Sequence, residues 1–230
     1  MSSDPKRNRA RELAANHLDR GDALGWFEAL YAEAAGNSIH VPWADLQPNP
    51  NLVEWLEEKP VEGKGRPALV VGCGLGDDAE FLTQEGFRVT AFDVSDTAIA
   101  WCQTRFPGSL VQYVAGDLLA PPTAWRHAFD FVMEAYTLQV LPRHLREQAM
   151  TRLADTVKPG GTLLVICRGR LSDDPEGQMP WPLLREELFA LERSGLAVDT
   201  FEELWDRHEE PAVWRFRACY SRPVAGTSHR

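Results

Sequence analysis

Three glycines spaced two apart, Gly72, Gly74 and Gly76, interrupt an apolar run that begins at Ala68, and two carboxylates, Asp77 and Asp78, follow at once. Glycine lets a backbone turn sharply and approach a ligand closely, which is how a strand hands over to a nucleotide-binding helix. Cys73, inside the loop, is counted with the cofactor-binding residues, and its thiol reads as small apolar packing. A second acid, Asp93, stands 19 residues beyond Gly74 at the end of the next apolar run, with Val94 and Ser95 continuing the turn. A carboxylate there can accept hydrogen bonds from both hydroxyls of a ribose. The third acid is in Gly116-Asp117-Leu118. Asp117 is either a turn or cap residue or an acceptor for an adenine amino group, with Leu118 packed on the ring. Three acids ending three successive strands trace the crevice in which open parallel sheets bind ligands.

The charge of the glycine loop narrows the ligand. A pyrophosphate sits well on a helix N-terminus, where exposed N–H groups and the helix dipole favour negative charge. Asp77 and Asp78 in that first turn would repel it and would attract a ligand bearing an ammonium and a sulfonium, such as S-adenosylmethionine. The spacing agrees, because the dinucleotide pattern Gly-x-Gly-x-x-Gly needs glycine at 77, and that residue is Asp. These residues point to a methyl donor rather than to NAD.

The elements that must position them follow from periodicity. Residues 1–60 read as helical, with helix formers over Arg11–Leu18 and Ala23–Ala35, breaks at Pro42, Pro48 and Pro50, and a short helix over Asn51–Glu58. From residue 68 strands alternate with helices. Strands are expected at Ala68–Val71, Arg88–Phe92, Leu110–Val114, Phe129–Met133 and Thr162–Cys167, and helices at Asp77–Glu85, Asp96–Arg105 and Arg143–Val157. Alternation of this kind predicts an α/β fold with a parallel sheet covered on both faces. The end differs: a helix near Pro182–Arg193 precedes strands at Leu196–Leu204 and Ala212–Tyr220, which suit an antiparallel hairpin on the sheet edge. The expected division is a helical N-terminal cap over 1–60, the α/β domain over 61–221 and a flexible tail over 222–230.

Composition excludes several classes. With 34 acidic against 24 basic side chains the formal charge is −10, which weighs against nucleic acid as a partner. The four cysteines are scattered singly, so neither a zinc site nor a disulfide framework is expected, and no metal is assigned. No signal-peptide core and no apolar stretch long enough to span a bilayer is read. A cytoplasmic setting without membrane partners is the expectation, as a monomer or homodimer.

Segments 72–78, 91–99, 116–119, 129–142 and 157–166 together resemble the class I S-adenosylmethionine-dependent methyltransferases across roughly residues 66–168. The resemblance implies a Rossmann-like, seven-stranded, mostly parallel sheet with helices on both faces and an antiparallel C-terminal edge hairpin. The segment from Trp26 to Tyr31, followed by Pro42-Trp43-Ala44-Asp45, looks like the cap of the thiopurine S-methyltransferases and thiol/halide methyltransferases. Carried over, Trp26, Tyr31 and Trp43 would be lid aromatics, with Trp43 touching the donor and Leu46 an apolar neighbour of it. Trp26 can equally be read as a staple between two helices.

On the acceptor side, Glu134 at the end of the fourth strand could hold the donor's ammonium or take a proton. Tyr136 and Gln139 would shape the pocket, and His40 or Asp45 could serve as a base. The stretch from Arg168 through Trp181 would form the substrate wall, with Arg168 or Arg170 meeting an acidic acceptor or pairing with nearby carboxylates. The absence of an Asn/Asp-Pro-Pro-Tyr motif after that strand weighs against a DNA N-methyltransferase. No His–Asp pair stands beside the donor loop, which fits a thiol acceptor best because thiols ionise near neutrality. The expected activity is S-methylation of a small-molecule thiol. The alternatives are O- or N-methylation of a small secondary metabolite, and an inactive domain that binds S-adenosylmethionine.

Overall fold

The computed structural model describes residues 4–59 and 61–224. Its centre is the run Pro67–Val71 (β1), almost entirely buried because parallel strands flank it and helices cover both faces. Arg88–Asp93 (β2) pairs with β1 on one side and with Gln112–Ala115 (β3) beyond. Phe129–Ala135 (β4) pairs on the other side of β1, followed by Val157–Arg168 (β5). Ala197–Asp206 (β6) and Val213–Ser221 (β7) complete a seven-stranded sheet of order β3-β2-β1-β4-β5-β7-β6. Strand β7 runs antiparallel to both β5 and β6, the edge hairpin that the sequence predicts.

Side-chain alternation divides the core into two layers. Leu69, Val71, Val132, Leu163 and Val165 face helices Arg143–Thr156 (α6) and Arg185–Arg193 (α7). Ala68, Val70, Phe131, Met133 and Leu164 face Pro50–Glu58 (α3) and Asp77–Gln84 (α4). Each fully buried aliphatic or aromatic side chain contributes about 1.5–3 kcal/mol by leaving water. Helix Asp96–Arg105 (α5) follows β2, and the N-terminal helices Pro5–Leu18 (α1) and Gly25–Ala34 (α2) form the cap. Trp26, 1% exposed, joins Ala10, Leu13 and Leu30 in the core of that cap. Glu28 ties α2 to the start of α5, accepting from Ser95 Oγ at 2.5 Å, Thr97 Oγ1 at 2.5 Å and the Thr97 N–H at 3.1 Å.

Three of the boundaries that differ from the sequence expectation have a traceable cause. Strand β5 begins at Val157, not Thr162. Its register with β4 jumps from Phe129↔Val157 to Phe131↔Thr162, and Gly160, at φ +78°, absorbs the bulge. Strand β3 starts at Gln112, leaving Leu110 exposed ahead of the pairing with β2. Helix α7 starts at Arg185 because Leu183 donates its N–H to the Arg168 carbonyl, and Glu187 then caps the Leu184 N–H. Past β7, Arg222 pairs backbone to backbone with Gly160 and Gly161, and residues 225–230 of the expected tail lie outside the described residues.

Candidate active site

The C-terminal ends of β1, β2, β3 and β4 open into a cavity of about 360 Å³ roofed by the cap. Gly72 and Gly76 need their missing side chains. Both have positive φ, and a Cβ would come within 2.2 Å of Thr137 Oγ1 at Gly72 and 2.6 Å of the Tyr113 hydroxyl at Gly76. The resulting turn lays Gly72, Cys73 and Gly74 along the cavity, while Gly76 caps α4 outside its lining. All four cysteines are free thiols.

Asp93 is the electrostatic centre of this half. Its carboxylate is 6% exposed and accepts the Gly74 N–H through Oδ2 and the Ser95 N–H through Oδ1, both at 3.0 Å. Burial pushes its carboxyl up to about 6, against the pull of those hydrogen bonds. Asp93 lines the cavity, and a carboxylate can accept more hydrogen bonds than these. Val94, Gly116, Asp117 and Leu118 continue the same wall. Tyr31 and Trp43 close it from the cap, with Trp43 Nε1 donating to the Tyr31 hydroxyl at 2.8 Å. A ribose on Asp93 and an adenine beside Leu118 fit these donors, acceptors and walls.

Several residues singled out from sequence do other work. Asp77 is not a free charge for the ligand: Arg105 grips its carboxylate at 2.8 and 3.0 Å. Asp78 accepts the Asn49 N–H at 2.6 Å and so ties the start of α3 to the loop. Arg105 offsets the charge of Asp77, and both acids still line the cavity. Ser95 caps α5, accepting from Ala98 N and donating to Glu28, with no exposed surface left for a cofactor. Glu134 is fully buried beneath the cavity, where Oε1 accepts the N–H groups of Thr137 at 2.7 Å and Leu138 at 2.9 Å. It shapes the turn that carries Tyr136 and does not itself line the cavity, while its Oε2 has no partner among the described residues. His40 stands exposed on a short helical turn, and Trp26 and Trp181 pack in the cap core. None of the three lines the cavity. Leu46 is 50% exposed and outside the lining as well.

The other end of the cavity is lined by Asp45, Tyr136, Gln139 and Arg168. Tyr136 holds a positive φ of 67°, and burial pushes its hydroxyl up to about 12, so it stays protonated near neutrality. Gln139 Oε1 accepts the Arg168 backbone N–H at 2.7 Å and ties the turn to β5. Asp45 is shifted upward by burial. Arg170 stays within its own loop, donating to the Asp174 carbonyl at 3.0 Å. Sequence reasoning missed Arg7, Asp206, Glu209 and Arg215, which also line this end. A signal was present in β7, where Arg215 and Arg217 alternate with apolar residues in a strand that is otherwise buried.

With this geometry established, comparison with known proteins identifies the α/β portion. Residues 68–161 match the family described as "Methyltransferase domain". Over 166 residues the chain is 24% identical to a 2-heptyl-1-hydroxyquinolin-4(1H)-one methyltransferase of Mycobacteroides abscessus, covering 70% of this chain and 72% of that relative. Two solved structures share the fold. One, described under the conversion of a disulfide bond into a thioacetal group during echinomycin biosynthesis, aligns at TM-score 0.69 and 21% identity over 87% of this chain and 93% of that one. The other is the 1,6-didemethyltoxoflavin-N1-methyltransferase of Burkholderia thailandensis with its substrate and S-adenosylhomocysteine bound. It aligns at TM-score 0.64 and 15% identity over 86% of this chain and 87% of that one. The methyltransferase domain thus includes the glycine loop, Asp93 and Asp117, while the cap and the β6–β7 hairpin lie outside the matched span. No helix among the described residues is long and apolar enough to cross a membrane.

Proposed function

We propose that this chain transfers a methyl group from S-adenosylmethionine to a small molecule, with a thiol as the attacking group. The observation that carries the reading is the buried Asp93 carboxylate, fixed by Gly74 and Ser95 and facing an enclosed cavity that continues toward Tyr136 and Arg168. When bound, S-adenosylmethionine supplies an electrophilic methyl carbon on a positively charged sulfur. Asp93 would take the ribose hydroxyls, Leu118 would pack on the base, and Asp117 would accept from its amino group. Tyr31 and Trp43 exclude water above the donor. Tyr136 and Gln139 hold the acceptor side, so the chain's main contribution is alignment, an effect that can be worth about 7–11 kcal/mol.

The choice of sulfur follows from the bases read from the sequence; His208, whose ring meets Glu54 at 2.8 Å, lines the cavity as well. Glu134 and His40 do not line the cavity, and Asp45 is the only one of the three candidate bases that does. A thiol needs little help to ionise. An acidic hydroxyl shares that property, and the hydroxyquinolinone named for the Mycobacteroides relative makes O-methylation the second reading. An acceptor panel of aromatic thiols, catechols and amines, scored by release of S-adenosylhomocysteine, tests both. Thiol turnover above all others is expected, and catechol turnover without thiol turnover would transfer the assignment to oxygen. Calorimetry with S-adenosylhomocysteine and NAD tests the donor, and binding of NAD alone would end the methyl-transfer reading.

A further inference from the structure

The acceptor end of the cavity carries a charge arrangement that alignment of a neutral thiol would leave unused. Arg168 on β5 and Arg215 on β7 are direct cross-strand partners. Together with Arg7 of α1 they surround one carboxylate, Glu209, in the turn between β6 and β7. Arg7 Nη2 lies 3.4 Å and Arg168 Nη2 3.2 Å from Glu209 Oε2, and Arg215 Nη2 donates to Oε1. Arg215 Nε is taken by Asp206. Arg7 also pairs with Asp4 at 3.4 Å, so the three guanidiniums meet three carboxylates, and what they offer a ligand is unpaired donors rather than net charge. Asp45, a further carboxyl at this end, is pushed toward its neutral form by burial and by Glu209.

Of the buried donors without a partner among the described residues, two belong to residues that line the cavity. Arg215 is 1% exposed, yet its Nη1 has no partner among the described residues, and Arg168 Nε is likewise buried and unpartnered. A buried donor on a charged group is costly to leave unmade. Tyr136 stacks 4.3 Å from the Arg215 guanidinium, which fixes the plane of that group and leaves its edge for a ligand. Both arginines line the cavity. A carboxylate is the planar, singly charged group whose two oxygens match such an edge.

We propose that Arg168 and Arg215 form a carboxylate subsite, and that the methyl acceptor is a carboxylate-bearing small molecule held by Arg215 Nη1 and Arg168 Nε. The inference rests on the methyl-transfer reading above and narrows its substrate class. The donor has a carboxylate of its own, so the sheet order matters. Strands lie about 4.8 Å apart, which puts β5 roughly 14 Å across the sheet from Asp93 on β2, with β7 one strand further. The subsite therefore belongs to the acceptor side.

The test measures binding to the full chain saturated with S-adenosylhomocysteine, using 4-mercaptobenzoate against 4-mercaptobenzamide, a pair that differs only in the charged group. The benzoate is expected to bind at least tenfold more tightly. Arg168→Gln should shrink that preference below threefold while leaving S-adenosylhomocysteine affinity within twofold. Glu209→Gln, which frees positive charge, should widen it, so the two variants move in opposite directions. Equal binding of the two probes, or binding of neither, by wild-type protein that still binds S-adenosylhomocysteine overturns the subsite. A parallel loss of S-adenosylhomocysteine affinity in Arg168→Gln overturns it differently, by giving the arginines to the donor's carboxylate. Failure of the wild-type chain to bind S-adenosylhomocysteine at all refutes the methyl-transfer reading instead.

Discussion

The two ends of the cavity are built by different means. The donor end is made of backbone turns and strand-end acids that lie between residues 72 and 118, close along the chain and aligned by neighbouring parallel strands. The acceptor end joins Arg7, Arg168, Glu209 and Arg215, residues up to 208 positions apart that meet only because α1, β5 and the β6–β7 turn converge. Fixed backbone geometry suits a ligand that never changes. Side chains from separate elements can be exchanged one at a time without disturbing the turns, which suits a ligand that varies between relatives. If this contrast is correct, changes at one end should leave binding at the other nearly untouched.

The strongest blow to the donor end is Asp93→Ala. Loss of charged hydrogen bonds should weaken S-adenosylhomocysteine binding by about 1.5–3 kcal/mol in calorimetry. Unchanged affinity in a folded variant would remove Asp93 from the ribose.

Lowering the pH is a milder form of the same change. With the Asp93 carboxyl at about 6, acidification from pH 7.5 to 5 should cost about tenfold in donor affinity as the carboxylate is protonated. Stability of the ligand-free protein should move the other way. Burial raises Asp93 to about 6 and Glu134 to about 7, above their unfolded values, so the folded state binds these protons more tightly. These two groups therefore destabilise the fold at neutral pH, and the penalty is relieved as pH falls from about 7 toward 4. A melting temperature that falls in step with donor affinity over pH 7 to 5 would contradict this.

Trp43→Phe removes the indole hydrogen bond to Tyr31 and part of the ring packing in the cap, and should cost about 1 kcal/mol, near fivefold, in donor affinity. An equal loss in acceptor binding would show that the cap serves both ends together. The smallest effect is expected from Asp77→Asn. Because Arg105 already holds that carboxylate, donor affinity should stay within about twofold and stability should drop by no more than about 1 kcal/mol. A tenfold loss of affinity would restore the direct electrostatic role that the sequence suggested.

The fold was legible almost throughout because period and punctuation act locally. The apolar run before Gly72, the alternation through residue 168 and the edge hairpin are all present as expected. Misplaced boundaries arose where a long-range partner, such as Arg222 on Gly160 or Leu183 on Arg168, extended or delayed an element. The place of Gly74 and Asp93 on the cavity was legible for the same reason: they sit at strand ends whose direction follows from the βαβ pattern. The reading failed where a side chain had two possible partners. Nothing local tells whether Ser95 meets a ribose or Glu28, or whether Asp77 meets a ligand or Arg105.

Local chemistry along the chain therefore decided the strand–helix rhythm, the glycine turns and the place of Asp93, because glycine freedom and strand direction depend on immediate neighbours. Tertiary packing decided that Asp77 is neutralised, that Glu134 faces inward to the Thr137 turn, and that Arg7, Arg168 and Arg215 gather on Glu209. Charge pairing depends on distance in space, and only the closed sheet with its cap sets those distances.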